Sequence, residues 1–517
     1  MKKLLFFLTV MCLSLPFADA QAPLARHYWL PSESVNYTLS PPTTNGEWIV
    51  AAARTEIKNG FITGKNTIAV FRLNDEYEIL SSLGKCDGEV SVIGYPGTGT
   101  DTFNRYINFE VHDVVQSCNP DDHYIICGSV RKNADQGYIG MVVVLNANLT
   151  PISIREYPNA EVFYSVYAQG GYYYVCGKMR DGKGVVMQDN IASTPYPRAW
   201  TTQNNWVFHK IKVRQRPCSE EFYEFSVSGW GIDNLGRQVM GFCIFELPYP
   251  PFWNLILVTS RQFLPKYPVN PNSKVVLGNY PGLGGMSRGL ILSASSGQEI
   301  HTYLFQNHLP VDPYPSMTSA FRIFTWSDNR FVLEDMDCGQ NPNRIAWVGN
   351  WMHADDQVQQ RATYIRMNSP FPSPPAVVNF TPYNNPPSAY YSLHKVHFYK
   401  DQPDPDFQFH AGGFYHHVSY PNDPFGYNYY RMTFVVTPDD VPVSTPDERG
   451  CALPDPKYYE VIDTSQVEKL WIDSDITPVD TIAPMGLRLG FCVTDCQGTK
   501  RDDCGFRIID ITKKRKK

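Results

Sequence analysis

The chain has 517 residues, a formal net charge of −6 and only 19% charged residues. That balance leaves no basic footprint for nucleic acid, and no apolar run reaches the roughly 20 residues a membrane-spanning helix needs. Aromatics make up 14% of the chain and there are 41 Pro; this composition favours strands and tight turns, so an all-β fold is predicted.

Met1-Lys2-Lys3 precedes an apolar run, Leu4–Phe17, and Ala18-Asp19-Ala20 places small residues where a signal peptidase reads them. Residues 1–20 are read as a secretory signal peptide cleaved before Gln21, which predicts export to the periplasm, cell surface or medium. Of the twelve Cys, only Cys12 falls in this leader. The other eleven meet a compartment that can oxidise thiols, and their odd number leaves at least one unpaired.

Residues 21–45 read as a lead-in with one strand, around Tyr28-Trp29-Leu30 and Tyr37-Thr38-Leu39. Regular material follows from 46 to 450. Alternating apolar residues, then a small or apolar residue, then Gly recur as YIICG at Gly128, YYVCG at Gly177, FSVSG at Gly229, KVVLG at Gly278, AWVG at Gly349 and FHAG at Gly412. WIVAA, ending at Ala52, leads the series. After each comes a polar turn and a second apolar strand, as in Tyr138–Leu145 and Gln238–Glu246. Before several comes another strand, such as FEVHDVVQSC, VFYSVYAQGG, FHKIKVRQRPC and FVLEDMDCG.

Short antiparallel strands recurring every 49 to 76 residues predict a β-propeller, because a four-stranded sheet cannot cover both its faces alone and radial stacking covers them. Seven copies predict seven four-stranded blades, with six or eight left open by the longer intervals. Gly in a strand marks close backbone approach or a bulge. Within this span, GYIGMVVVLNANLTPISIREY after YIICGSV resembles the blade motif of bacterial secreted β-propeller repeat proteins, sharply over Tyr124–Gln188. The resemblance implies a fold and a binding surface, and it transfers no functional residue.

The pattern changes after Gly450. Residues 451–517 read as a Cys-containing segment that packs on the ring and donates a closing strand, with a helix over Ser465–Trp471 and a basic tail, Lys513–Lys517. Cys451, Cys492, Cys496 and Cys504 are disulfide candidates there, as are Cys118, Cys218 and Cys338, which end strands at turns. Cys127 and Cys176 share a column with Ala and Ser and read as small buried packing residues.

Aromatics that follow the Gly column, Trp230, Tyr280, Trp351 and Phe414, fall near one face of the disc and are the ligand-binding candidates. Five of the twelve His, His394, His397, His410, His416 and His417, fall within 24 residues and are weak candidates for a metal; His394 and His397 are three apart, which in a regular strand separates their faces. Carboxylates gather at Glu334, Asp335 and Asp337 and at Asp355-Asp356, without hydrolase elbow, phosphate loop or dinucleotide fingerprint. Asp121-Asp122 and Asp404-Pro405-Asp406 read as ordinary turns. No catalytic residue or cofactor is assigned. The expected function is non-catalytic binding or scaffolding in a bacterial envelope, with an envelope protein, peptide or glycan as partner. The alternatives are a glycoside hydrolase or polysaccharide lyase with carboxylates from different blades at the channel mouth, and a structural subunit of a surface assembly.

Overall fold

The computed structural model is all-β: every described element is a strand, between Leu24 and Asp510. Side chains are described mainly within 38–53, 67–74, 91–95, 107–117, 123–213, 224–246, 260–305, 331–350 and 394–397. Residues 1–23 and 511–517, and with them the signal peptide and basic tail, lie outside the described residues. No helix among the described residues is long and apolar enough to cross a membrane.

β1 (Leu24–Tyr28) departs to a distant sheet. β2 (Ser32–Leu39), β3 (Trp48–Lys58), β4 (Phe61–Leu73) and β5 (Gly88–Gly94) then pair antiparallel in sequence order. The same run recurs as β6 (Asn108–Gln116), β7 (Tyr124–Arg131), β8 (Ile139–Leu145) and β9 (Pro151–Tyr157). Next come β10 (Ala160–Gln169), β11 (Tyr172–Met179), β12 (Lys183–Asn190) and β13 (Arg198–Val213). β13 belongs to two units. Its start, Arg198–Thr201, closes one on β12, and its end, Trp206–Val213, opens another with β14 (Glu224–Ile232), β15 (Gln238–Glu246) and β16 (Ile256–Phe263).

β17 (Val276–Pro281), β18 (Arg288–Ser296), β19 (Glu299–Gln306) and β20 (Ser316–Phe324) follow, then β21 (Arg330–Cys338), β22 (Ile345–Met352), β23 (Gln359–Met367) and β24 (Ala376–Phe380). β25 (Ala389–Phe398), β26 (Gln408–His417) and β27 (Tyr429–Pro438) make a three-strand run that β1 completes, Leu24 opposite Val436. First strands of successive units touch in a closed circle: β2, β6, β10, β13, β17, β21, β25 and β2 again. Four-stranded sheets fanned around one axis in this way form a β-propeller.

Two expectations change here. The 21–45 segment holds two strands rather than one, and β2 is the first strand of the ring. Closure comes from the N-terminal β1 and not from the C-terminal segment. That segment instead runs backwards around the outside. β28 (Cys451–Pro454) pairs β20, β29 (Val461–Ile462) pairs β16, β30 (Trp471–Asp473) pairs β13, β31 (Val479–Ile482) pairs β9, β32 (Met485–Phe491) pairs β5 and β33 (Val493–Thr494) pairs β1. β34 (Ile508–Asp510) adds to β32. Outer edges of sheets offer unpaired backbone groups, and these short strands satisfy them. Trp471 is therefore a strand residue where a helix was expected, while 463–470 lie outside the described residues.

Packing explains the apolar runs. Tyr124 and Ile126 point into a cluster with Ile49, Ala51 and Val70 of the preceding unit, whereas Ile125 and Cys127 point into one with Phe163, Val175 and Val185 of the next. A strand alternates its faces, and here a neighbour covers each face, so YIIC is apolar throughout. Cys127, Cys176, Cys243 and Cys338 are buried thiols in no disulfide. Cys338 is thus corrected from its disulfide candidacy: its sulfur lies against Gly278 of the neighbouring unit, so it fills an inter-sheet gap. Cys118, Cys218, Cys492, Cys496 and Cys504 lie outside the described residues, as does the Cys451 side chain.

Candidate functional site

The Gly column has a local cause. Val111 pairs Gly128 and Asp113 pairs Cys127, so His112 is an extra residue in β6, a one-residue bulge. The same irregularity leaves Tyr164 extra in β10, His209 in β13, Glu334 in β21 and His394 in β25, and Val35 in β2. In four of these units the bulge folds a carbonyl of the first strand onto the second. A Cβ on Gly128 would overlap the Glu110 carbonyl, one on Gly177 that of Val162, one on Gly229 that of Val207, and one on Gly349 that of Val332. Only Gly tolerates such an approach. In the last unit Gly413 stands in this position, opposite Leu393, one residue beyond Gly412.

The unit that opens with β17 departs from the rule. Gly278 lies on its first strand, so KVVLG is not a copy of the column. The Asn270 amide donates to the Ser295 carbonyl at 2.9 Å, while Val276 pairs Ser293, and residues 272–275 form an enlarged excursion at the place where the other strands bulge. Asn272 takes a left-handed φ of 63° there. The excursion is tied on both sides: the Val275 amide donates to His209 Nδ1 (3.2 Å), and the Lys274 amide to the Leu333 carbonyl (2.8 Å).

Five of the bulges, those of β6, β10, β13, β21 and β25, and this excursion line one cavity of about 740 Å³. His112, Tyr164, His209, Lys274, Glu334 and His394 reach it from six different strands or their leads, and Trp230 flanks it. Its wall has two arcs. On one, the Tyr164 ring stands between His112 (4.9 Å) and His209 (5.3 Å). On the other, Glu334 pairs with Lys274 at 2.9 Å and faces His394 Nδ1 at 3.6 Å.

One residue deeper the axis is closed by ion pairs. Lys395 donates to Asp113 at 3.0 Å and Lys210 to Asp335 at 2.7 Å, and Lys212 pairs with Asp337. Asp113 also accepts from Ser165 Oγ (2.6 Å) and the Val166 amide (3.1 Å), and Asp335 from the Val396 amide (3.3 Å). His397 Nε2 lies 3.0 Å from the Leu39 carbonyl. Asp113, Asp335, Asp337 and Lys395 are 5% exposed or less. These bonds cross between distant units, so the cavity is a cup with a floor of salt bridges.

Charge states follow from these neighbours. Burial pushes the Glu334 carboxyl up, but the Lys274 charge and the His394 ring beside it outweigh burial and hold it at about 2. Asp113 is likewise held at about 2 by Lys395 and Lys210 against its burial. Burial, aided by Lys274, lowers His209 to about 3; burial, aided by Lys210, lowers His397 to about 4. Burial also lowers His112 and raises Tyr164 to about 12. Near neutrality, then, His112 and His209 are uncharged and Glu334 is ionised.

Of the four aromatic candidates, Trp230 lines the cup. The side chains of Tyr280, Trp351 and Phe414 lie outside the described residues; Tyr280 sits on a first strand, opposite Gly289. His394 reaches the cup wall and His397 the floor, a difference in depth that the bulge between Leu393 and Lys395 creates. The side chains of His410, His416 and His417 lie outside the described residues. Among the described residues no group of three His, Cys, Asp or Glu is placed to hold a metal ion. Sequence reading missed His112, Tyr164, His209, Lys274 and every lysine of the floor. A signal was present: Val111-His112-Asp113-Val114, Phe163-Tyr164-Ser165-Val166, Phe208-His209-Lys210-Ile211, Leu333-Glu334-Asp335-Met336 and Leu393-His394-Lys395-Val396 share one pattern, two adjacent non-aliphatic residues between apolar ones.

No protein-family model matches this chain, and no curated protein matches it significantly. Among solved structures it is similar to a subtype N11 neuraminidase-like protein of A/flat-faced bat/Peru (H18N11), with 7% identity, 79% of this chain and 88% of the other covered, and a TM-score of 0.32. It is also similar to the parainfluenza virus 5 hemagglutinin-neuraminidase ectodomain, with 9% identity, 81% and 83% covered, and a TM-score of 0.33.

Proposed function

We propose that this protein is an exported, non-catalytic binding propeller of seven blades, the nine-stranded sheet counting as two, whose axial cup holds a small polar ligand or the exposed group of a larger envelope partner. The observation that carries the reading is the repeated bulge. It delivers polar side chains from separate strands into one cup while buried ion pairs fix the floor beneath them. Such convergence of a few polar groups in a preformed concavity suits ligand binding.

Glycoside cleavage fits less well. A two-carboxylate mechanism needs an acid that is protonated near the working pH. Glu334 is the carboxylate that lines the cup among the described residues, and Lys274 keeps it ionised. A scaffold held through 451–517 is also less favoured, since the strands of that segment pair with the chain's own outer edges.

The test is a turnover assay on chromogenic glycosides and polysaccharides, run beside ligand binding to the same preparation. Binding without turnover is expected. Turnover that disappears in Glu334→Gln would overturn the non-catalytic reading.

A further inference from the structure

The cup's lysine charges are already engaged. Its lysines are each matched: Lys274 by Glu334 at 2.9 Å, Lys395 by Asp113 at 3.0 Å and Lys178 by Glu161 at 2.7 Å. His112 and His209 stay neutral because burial disfavours their charged forms. A ligand with a net charge would bring it into a partly buried space whose lysines and Glu334 are already paired, which is unfavourable. Neutral hydrogen-bonding groups meet no such penalty.

What the wall offers instead is dense, fixed polarity beside aromatic faces. Asn205, Asn272 and Ser273 line the cup with amide and hydroxyl groups, and the Trp230 ring flanks them, half-buried. The His112 ring lines the cup with its Nε2 turned to the Glu110 carboxylate at 3.7 Å. The Lys274–Glu334 pair presents donors and acceptors side by side, already oriented. A molecule that suits this wall has many hydroxyls on its edge, an apolar C–H face for an indole, and no net charge. We infer that the cup takes an uncharged saccharide unit, seated on Trp230 with its hydroxyls toward Asn272 and the Lys274–Glu334 pair. This deepens the binding reading and rests on it.

The experiment measures binding of the full-length exported protein to an array of neutral oligosaccharides, uronic-acid oligomers, amino-sugar oligomers and short peptides, with hits titrated by calorimetry. Wild type is compared with Trp230→Ala, Trp230→Phe and His209→Gln; circular dichroism and melting temperature confirm that each is folded. Neutral saccharides are expected to bind, with affinity falling about tenfold in Trp230→Ala and recovering in Trp230→Phe. Charged saccharides or peptides binding in a Trp230-dependent way, with neutral ones silent, would overturn the saccharide class and leave the cup standing. Neutral saccharides that bind equally well to Trp230→Ala and His209→Gln would place the site elsewhere and overturn the cup. Binding to none of the array overturns the saccharide inference.

Discussion

His112 and Asp113 are neighbours in the chain and both face the axis, yet they live in different chemistries. Asp113 is 5% exposed and accepts from Lys395, Ser165 and Val166. The His112 Nε2 atom has only the more distant Glu110 carboxylate, at 3.7 Å, and its ring borders an open cavity. The contrast repeats at Glu334 over Asp335 and at His394 over Lys395. A regular strand would send adjacent side chains to opposite faces. The bulge lets one strand supply both a wall residue and a floor residue. Rigidity and receptivity, which conflict in a single layer, are thereby separated by one residue.

The floor is where this contrast breaks most violently. Lys395→Met leaves Asp113 buried without its cation and is expected to destabilise the fold by about 3–5 kcal/mol, read as a drop in the chemical-denaturation midpoint. Adding Asp113→Leu should restore only part, because Ser165 and the Val166 amide then lose their acceptor. Full restoration would show that the pair, and not the network, sets the floor.

Next is the hinge between layers. Gly128→Ala drives a methyl into the Glu110 carbonyl and should cost about 3 kcal/mol, as overpacking does. Gly137→Ala, where an added Cβ meets only the end of Arg180 at 3.6 Å, should stay within about 0.5 kcal/mol. Equal effects at the two sites would mean that the column glycine serves chain entropy and not the bulge.

The smallest effect is pH. His209 and His397 have folded values of about 3 and 4, below the ordinary value of about 6.5. The unfolded chain therefore binds more protons, and stability is expected to decline as pH falls from about 6.5 towards 3. Asp113 and Glu334, held at about 2, add a further loss below about pH 4. His209→Gln should flatten the upper part of this curve and leave the lower part intact.

Much of the ring was legible because its cause is local. Tyr124–Ile126 and Tyr173–Val175 are apolar on consecutive residues since each face has a neighbour, and Gly128, Gly177, Gly229 and Gly349 record a carbonyl pressed against them. One apparent copy misled: KVVLG at Gly278 repeats the letters but lies on a first strand. The cup was mostly illegible because its contacts are remote. Lys395 meets Asp113 across 282 residues, and Lys210 meets Asp335 across 125. His394 drew attention as part of a His-rich stretch, yet its neighbour in space is Glu334, and no spacing rule links the two.

The seam at β1 has a consequence in time. Leu24 and its partner, Val436, lie more than 400 residues apart in the chain. Until the two meet, the last sheet lacks β1 and the edge of β27 stays bare. Contacts this far apart in sequence make folding slow. While that seam is unmade the ring is an open fan, and the bare edge of β27 is a template on which another chain can pair.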